Sequence, residues 1–580
     1  MSDNLTIARI LSETADLLEL KEANPFKIRA YRNAADTIAN TGERVASFDE
    51  ARLRELPGVG RDLAARVREI ADTGDAAAHR ELVAEFPPTI LELLHLQGVG
   101  PKTATALYRQ LGIGSLDDLE RVARAGELAS LRGMGPKKTA LILRAIEERR
   151  RHASRHLAPD VADAAAALIT WLQRAAPAAT FTPVGSLRRG ADTCGDLDIL
   201  ATGGTPALMD AFTGYRLVER VLGQGETKAS VLLYGGLQAD LRLVPLESEG
   251  AALQYFTGSK AHNIALRDRA LARGLTLNEY GLFDAATEAR VAGDTEEGIY
   301  AALGLAMVQP ELRESRGEIE AAAEGRLPRL VEASDLRGDL HAHTTETDGR
   351  DDIETMALAA RAAGLEYLAI TDHSQALAMA NGLDERRALA HAARVREAGR
   401  RLDGITLLAG IECDIRPDGT MDLADDCLAE LDLVIASVHS AFNQDAAQMT
   451  DRLLRAVACP YVDIMGHPTG RLLLRREAYQ FDLEAVLDAA ASEGVAFEIN
   501  SQIERRDLSD VHARLARDRG VKLTISTDAH ARGAFGLLRW GVQTARRAWL
   551  TPGDVLNTRP VDAFRAALRR NTRRSPASHP

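Results

Sequence analysis

Covalent cross-links have little to work with in this chain. Four cysteines, Cys194, Cys413, Cys427 and Cys459, are scattered over 580 residues without a Cys-x-x-Cys pair. That excludes a disulfide framework and a thiolate zinc knuckle, and makes a reducing cytoplasm the expected compartment. Long apolar runs are absent too: none approaches the ~20 residues that cross a bilayer, so no membrane partner is expected. The N-terminal MSDNLTIARILSETADLLELKE is acidic and polar-interrupted, without the basic start and small-residue cleavage site of a secretory leader. Positive charge is not in excess. Seventy-one Lys and Arg stand against 84 Asp and Glu, a net charge of −13. This argues against a protein that coats nucleic acid over its whole surface, but leaves room for a local basic face. With 46% hydrophobic and 27% charged residues, the chain has the composition of a folded protein. Its length predicts roughly three to five domains.

Residues 1 to 150 read as almost entirely helical, with apolar residues at three- and four-residue spacing, as in Ile7, Ile10, Leu11, Leu17 and Leu18. Between about 160 and 250, short runs such as Asp198-Ile199-Leu200-Ala201 and Ser230-Val231-Leu232-Leu233-Tyr234 suit strands of a mixed sheet. From Asp335 onward, buried runs at 366–370, 431–436 and 495–499 alternate with Ala- and Arg-rich amphipathic helices. That pattern predicts repeated βα units and hence a barrel or large α/β domain.

Three similar turns punctuate the helical part: Leu56-Pro57-Gly58-Val59-Gly60, Leu96-Gln97-Gly98-Val99-Gly100 and Leu131-Arg132-Gly133-Met134-Gly135. Glycine takes positive φ without steric cost. The helix that follows then offers free N–H groups and its positive dipole end to a phosphate. Lys102, Lys137 and Lys138 trail the turns, and from Lys102 to Arg155 there are 12 Lys and Arg against 6 Asp and Glu. One such turn reads equally well as a plain helix–helix connection; three with trailing lysines point to backbone binding independent of base sequence. They resemble the helix-hairpin-helix motifs of DNA repair proteins, which implies DNA contacts at Gly58, Gly60, Gly98, Gly100, Lys102, Gly133, Gly135 and Lys137.

A second constellation is Gly185-Ser186-Leu187-Arg188-Arg189-Gly190, then Gly195-Asp196-Leu197-Asp198-Ile199-Leu200. Asp196 and Asp198 share one face of a strand. Asp240, on the later run Asp240-Leu241-Arg242-Leu243-Val244, supplies a third carboxylate. Three converging carboxylates are hard oxygen ligands suited to two Mg²⁺ ions, the arrangement that clamps an in-line phosphoryl transfer. Gly185, Ser186 and Arg189 lie where a triphosphate needs donors. A lone Asp-x-Asp is usually a solvated acidic pair; the Gly-Ser upstream and the third Asp downstream oppose that reading.

GSLRRGADTCGDLDIL resembles the nucleotidyltransferase signature of X-family DNA polymerases, typified by DNA polymerase β. The match extends upstream to Asn24-Pro25-Phe26-Lys27 and Ala30-Tyr31-Arg32. Downstream it includes Tyr255-Phe256-Thr257-Gly258-Ser259, Asn263, Arg267 and Asn278-Glu279-Tyr280. The resemblance covers residues 1 to about 320. It implies catalytic Asp196, Asp198 and Asp240, with Gly185, Ser186, Arg189 and Gly195 at the nucleotide. Tyr255, Phe256 and Gly258 would meet the incoming sugar, Asn263 the base edge and Arg267 the template side. Two positions depart from polymerase β. Arg66 stands where that enzyme has its Schiff-base lysine, and a guanidinium cannot serve as the amine nucleophile. Gln238 stands where it has an arginine two residues before the third Asp.

Six of the 14 histidines fall at expected strand ends of the last domain: His341 and His343, with Asp348 beyond, His373, His439, His467 and His530. Asp528 accompanies His530, and Glu412 closes Ala409-Gly410-Ile411-Glu412. His-x-His on a strand points both imidazoles the same way. Six His and three carboxylates exceed the need of one ion and suit two or three, with imidazole favouring Mn²⁺ or Zn²⁺. Glu412 is expected to bridge: His341, His343 and Asp528 would share one ion with it, His439 and His467 another, and Asp348, His373 and His530 would hold a third. His391 and His512 lie in helical patterns and are read as structural. The set DLHAHT, TDH, GIE, VHS, GHP and TDAH resembles the polymerase and histidinol phosphatase (PHP) domain. That family is a distorted (βα)₇ barrel that hydrolyses phosphoesters.

The expected architecture is multidomain α and α/β. It runs 1–85 helical, 86–155 helix-hairpin-helix, 156–250 palm, 251–318 nucleotide-binding subdomain, 319–334 linker and 335–575 PHP barrel. The combination resembles the bacterial and archaeal X-family polymerases with a C-terminal PHP unit. It implies gap filling on gapped or nicked DNA with dNTPs, in base excision repair, plus 3′→5′ exonuclease trimming, by a cytoplasmic, nucleoid-associated monomer. Two alternatives remain open: a phosphoesterase with a vestigial polymerase part, and a DNA-end-binding scaffold. The basic run Arg565 to Arg574 is either a DNA-touching arm or a solvated helix end.

Overall fold

The computed structural model describes residues 4–572 apart from 22, 40–44, 87–89, 91–92, 94–95, 97–98, 100, 132–133 and 153–154. The chain divides into two compact units, 1–153 and 154–580.

The described residues of the first unit form helices joined by turns, with no strand among them. Its main helices are Asn4–Leu20, Pro25–Ala39, Arg61–Thr73, Ala77–Glu85, Pro101–Leu111, Leu116–Arg124 and Pro136–His152. All three glycine turns close with the same bond, the N–H of the residue between the glycines donating to the leucine three back: Val59 to Leu56, Val99 to Leu96 and Met134 to Leu131. Val59, Val99 and Met134 are buried and belong to the one core of this unit. The residue between the glycines is thus a hydrophobic plug that fixes the turn. Gly58 sits at φ +77° and Gly60 caps the next helix. Gly98, Gly100 and Gly133 lie outside the described residues, as does the side chain of Lys102. Lys137 is exposed in the first turn of its helix.

The second unit opens with a five-stranded mixed sheet in the order Thr180–Pro183, Asp196–Thr202, Gln238–Val244, Lys228–Leu233, Val218–Gln224. Helices Ala158–Ala175 and Ala207–Thr213 share its core. A region with its own core follows, built from helices Glu249–Thr257, Lys260–Leu271 and Glu296–Ala302 and a three-stranded antiparallel sheet. Within the stretch expected as a linker, Glu318–Ala323 forms a short helix, and its Ala321 and Ala322 pack into this same core.

The remainder is a seven-stranded, wholly parallel sheet whose strands follow chain order. They are Gly338–Asp339, Tyr367–Ile370, Thr406–Asp414, Leu433–Ser437, Ile464–Met465, Ala496–Asn500 and Leu523–Ser526. An Ala342–Ala529 bridge ties the first strand's continuation to the last, so the sheet curls into a nearly closed (βα)₇ barrel. The apolar runs read from the sequence are strand interiors because both faces of each strand are covered. Two strands have only two residues, which is the distortion. The basic run near the C-terminus is neither a solvated end nor a free arm at Arg569 and Arg570. Both are buried: Arg569 caps carbonyls of Val457 and Cys459, and Arg570 pairs with buried Asp463. A carboxylate enclosed in the barrel wall makes a buried guanidinium affordable.

Candidate active sites

In the palm, Asp196–Thr202 runs parallel to Gln238–Val244 with Asp198 opposite Asp240. Register alone therefore brings the third carboxylate beside the first two, and oxygens of Asp196, Asp198 and Asp240 all lie within 4.8 Å of one another. Burial and the neighbouring Asp196 and Asp240 push the Asp198 carboxyl up to about 7, so the cluster gains from any cation. Gln238, at the departing position, donates from Nε2 to Asp240 Oδ2 at 2.9 Å, and Ser230 also bonds Asp240. Gln238 thus orients the carboxylate it flanks. Gly185 sits at φ +65°, and a Cβ there would meet Asp198 Oδ2 at 2.7 Å; glycine is required by both the backbone and the carboxylate behind it.

The remaining expected nucleotide residues gather around Gly185–Arg188 and the end of helix Glu249–Thr257. Arg189 donates from Nε to Glu314 at 3.0 Å and from Nη1 to Thr257 O at 2.6 Å. Tyr255 and Phe256 meet edge to face, 5.1 Å between ring centroids. Asn263 is held by Tyr255 O (2.7 Å) and Gln254 (2.7 Å), and Arg267 is exposed. Sequence reading missed the brace beneath them. Arg188 and Arg313 both grip Glu296, and Arg188 also bonds Thr257 Oγ1 at 2.6 Å. In the first unit, Arg66 pairs with Glu69 at 3.0 Å.

All nine expected ligands of the barrel lie at the C-terminal ends of strands or in the loops just beyond, the face where barrels of this kind carry chemistry. Three groups have ligand atoms within 4.8 Å of one another: His341, His343 and Asp528; His373, Glu412 and His439; and His343, Asp348, His373 and His530. His343 and His373 each fall in two groups. His467 bonds Glu412 Oε1 at 2.8 Å. Glu412 is therefore central, approached by His341, His343, His373, His439 and His467.

The electrostatics are those of a cation site. Burial alone would lower His341, yet Asp528, Glu498 and Glu412 hold it well above an ordinary imidazole. Burial and the cationic His530 and His373 push His343 down to about 4. Buried atoms without a hydrogen bond cluster here: His341 Nε2, both nitrogens of His343, His373 Nδ1 and Glu412 Oε2. Buried polar atoms are ordinarily bonded; a nest of unsatisfied imidazole and carboxylate atoms fits divalent ions. Asp528, at φ +53°, occupies the left-handed region, held by the Ala529 N–H to His341 O and by Gln502 Nε2 to Asp528 O. Such strain persists where the surroundings over-determine it.

Four carboxylates behind the ligands went unread. Glu498 bonds His341 Nδ1 at 2.8 Å and accepts the His467 N–H at 2.7 Å. Asp414 bonds His439 Nδ1 at 2.7 Å. These contacts fix the rings so that Nε2 faces the cluster. Asp339 accepts from the N–H groups of His341 and Thr527, and Asp372 holds Thr344 and His391 Nε2 at 2.8 Å. His391 is thus a bonded core residue. A signal was present for Glu498 and Asp414: each is an acidic residue inside an apolar strand run.

A mixed palm with three converging carboxylates, followed by a barrel with a histidine-rich group able to hold metal ions, defines a nucleotidyltransferase joined to a metal-dependent hydrolase. Family models agree along the chain: a helix-hairpin-helix domain at residues 2–76, a SAM-like helix-hairpin-helix tandem at 90–148, a DNA polymerase beta thumb at 252–314 and a PHP domain at 339–502. The DNA polymerase/3′-5′ exonuclease PolX of Bacillus subtilis (strain 168) is 36% identical over 97% of this chain and 99% of its own length. Probable phosphatases match in part. One from Thermoanaerobacter sp. (strain X514) is 30% identical over 38% of this chain and 89% of its own length. One from Shewanella sp. (strain ANA-3) is 32% identical over 34% and 78%. The chain belongs to the X-family DNA polymerases that carry a C-terminal PHP domain.

Proposed function

We propose that this protein is a DNA repair polymerase that fills short gaps by template-directed dNTP addition and trims 3′ ends with the exonuclease of its barrel. The observation that carries this is the presence in one chain of two separate groups able to hold metal ions, three carboxylates on the palm and a set of imidazoles and carboxylates at the barrel mouth. The relative that matches almost the whole chain bears both activities in its name.

Asp196, Asp198 and Asp240 would hold two Mg²⁺ ions; the barrel's nine ligands, Glu412 among them, would hold two or three Mn²⁺ or Zn²⁺ ions. Bound divalent ions neutralise charge developing on a reacting phosphoryl group and polarise it for attack. Around the palm carboxylates, Ser186, Arg189 and the Gly185 turn bind the triphosphate, Tyr255 and Phe256 pack the sugar, and Asn263 meets the base edge. The hairpins grip DNA phosphates and Arg267 the template side. In the barrel, Glu498 and Asp414 keep the His341 and His439 rings oriented. No described helix is long and apolar enough to cross a membrane; a nucleoid-associated location belongs to this reading because its substrate is DNA.

The test is a gapped duplex and a 3′-labelled single strand, each incubated with Mg²⁺ or Mn²⁺. Extension of the first and shortening of the second are expected; failure of both overturns the reading. The similarity of the barrel to probable phosphatases favours a second reading of that site, removal of a 3′-phosphate, which a 3′-phosphorylated primer checks in the same assay.

A further inference from the structure

The phosphate-binding turn of the palm is held by the barrel. Arg547, at the end of the barrel helix Leu538–Arg547, is buried and reaches across to that turn. Its Nη1 donates to the Arg189 carbonyl at 2.8 Å and to Glu314 Oε1 at 2.8 Å, and its Nη2 lies 3.0 Å from Asp510 Oδ2. Glu314 Oε1 is the same atom that accepts the Arg189 Nε bond. Arg316 completes the set on Asp510 at 2.9 Å. Just beyond, buried Arg506 donates to the carbonyls of Ala191 (2.9 Å) and Gly190 (3.1 Å), and both Arg506 and Arg471 pair with Asp192.

The charge count decides what this does. Arg189, Arg316 and Arg547 face Glu314 and Asp510: three cations, two anions, a surplus of one. Glu314 is divided between two guanidiniums, so Arg189 is incompletely neutralised. Its Nε and Nη1 are committed to protein oxygens, which leaves Nη2 for a ligand. Arg189 also lies close enough to Asp198 to oppose that group's upward shift. Burial would raise the Glu314 carboxyl, but Arg547 and Arg189 outweigh it and keep it ionised. Without Arg547, Glu314 belongs to Arg189 alone and cancels its charge. Little screening by water is available, since the side chains of Arg189 and Glu314 are 16% and 18% exposed.

We propose that the barrel contributes a positioning residue to the polymerase reaction: Arg547, by sharing Glu314, leaves the charge of Arg189 incompletely compensated and so available to the triphosphate of the incoming nucleotide. This rests on the reading of Gly185 to Arg189 as the triphosphate turn. The barrel is then part of the polymerase's binding apparatus, and a polymerase part expressed without it binds dNTP poorly.

Steady-state gap filling with the full chain tests this. Arg547→Ala is expected to raise the KM for dNTP about tenfold, a charge effect at low exposure, with kcat within about twofold and the exonuclease rate unchanged as proof of folding. Arg547→Lys should fall between. Adding Glu314→Gln to Arg547→Ala should return KM towards wild type, because the carboxylate no longer cancels Arg189; loss of mere packing would not be rescued. Glu314→Gln alone should leave KM at or below wild type, and it decides the matter should Arg547→Ala fail to fold. An unchanged KM in Arg547→Ala, a rise that Glu314→Gln does not reverse, or a raised KM in Glu314→Gln alone overturns the inference. Wild-type protein without synthesis, or Arg189→Ala with unaltered KM, instead overturns the underlying assignment of the site.

Discussion

Asp198 is the centre of the chemistry proposed for the palm. It faces Asp240 across the sheet, packs against Gly185, and is pushed up to about 7 by burial and its two acidic neighbours. Asp198→Ala removes a ligand of the proposed ions. Several kcal/mol of transition-state stabilisation go with it, and about 1.4 kcal/mol is a factor of ten, so synthesis should fall by about a thousandfold or more. Exonuclease on a labelled single strand should continue at the wild-type rate. Gly185→Ala should reproduce much of the defect without touching a charge, because the methyl would enter the space of Asp198 Oδ2 and sit at positive φ. Primer extension of both variants checks the pair; wild-type synthesis by Asp198→Ala would remove the palm assignment.

At the scale of elements, the three hairpins behave as one device. Each closes the same Leu-to-plug hydrogen bond and buries its plug in the core, so a basic residue after it, Arg61, Lys102 or Lys137, stands in the first turn of the next helix. Phosphate binding of this type carries no base information. Affinity for gapped duplexes should drop steeply between 50 and 200 mM salt, by about 10³ or more if six or so phosphates are neutralised. Charge reversal of Lys102 and Lys137 together should weaken binding to all sequences alike and flatten the salt slope by about two. Fluorescence anisotropy with two unrelated sequences measures this; a loss confined to one of them would show a base contact instead.

For the whole molecule, the two candidate centres are independent in ligands although their domains touch. His341→Ala should stop 3′→5′ degradation in Mn²⁺ while leaving Mg²⁺-dependent synthesis largely intact. Trimming at the wild-type rate would mean the barrel is not the nuclease. A second readout needs no turnover. Ions bound only by the folded barrel stabilise it by about 2.7 kcal/mol at a hundredfold excess over Kd, which is several degrees in Tm for a domain of this size. Calorimetry of chelator-treated protein should therefore show an upward shift on adding Mn²⁺, much reduced in His341→Ala. An equal shift in both would place the ion elsewhere.

Local pattern carried much of this protein. The hairpins, the Asp-x-Asp strand and the strand-end histidines were legible because each is a short motif whose geometry depends on a turn or a strand period alone. The barrel was legible from apolar runs at βα spacing. What local pattern could not hold was pairing between distant segments. That Asp198 lies opposite Asp240 is a matter of sheet register. That Glu498 serves His341, 157 residues away, follows from curling seven strands until the first meets the last. Arg569 and Arg570 read as a basic tail because only the closed barrel reveals the carbonyls and Asp463 waiting for them. Arg547 carries no motif that would single it out in the sequence. Its partners Glu314 and Arg189 are 233 and 358 residues distant, and a charge acquires its meaning from the low-dielectric contact in which the folded chain encloses it.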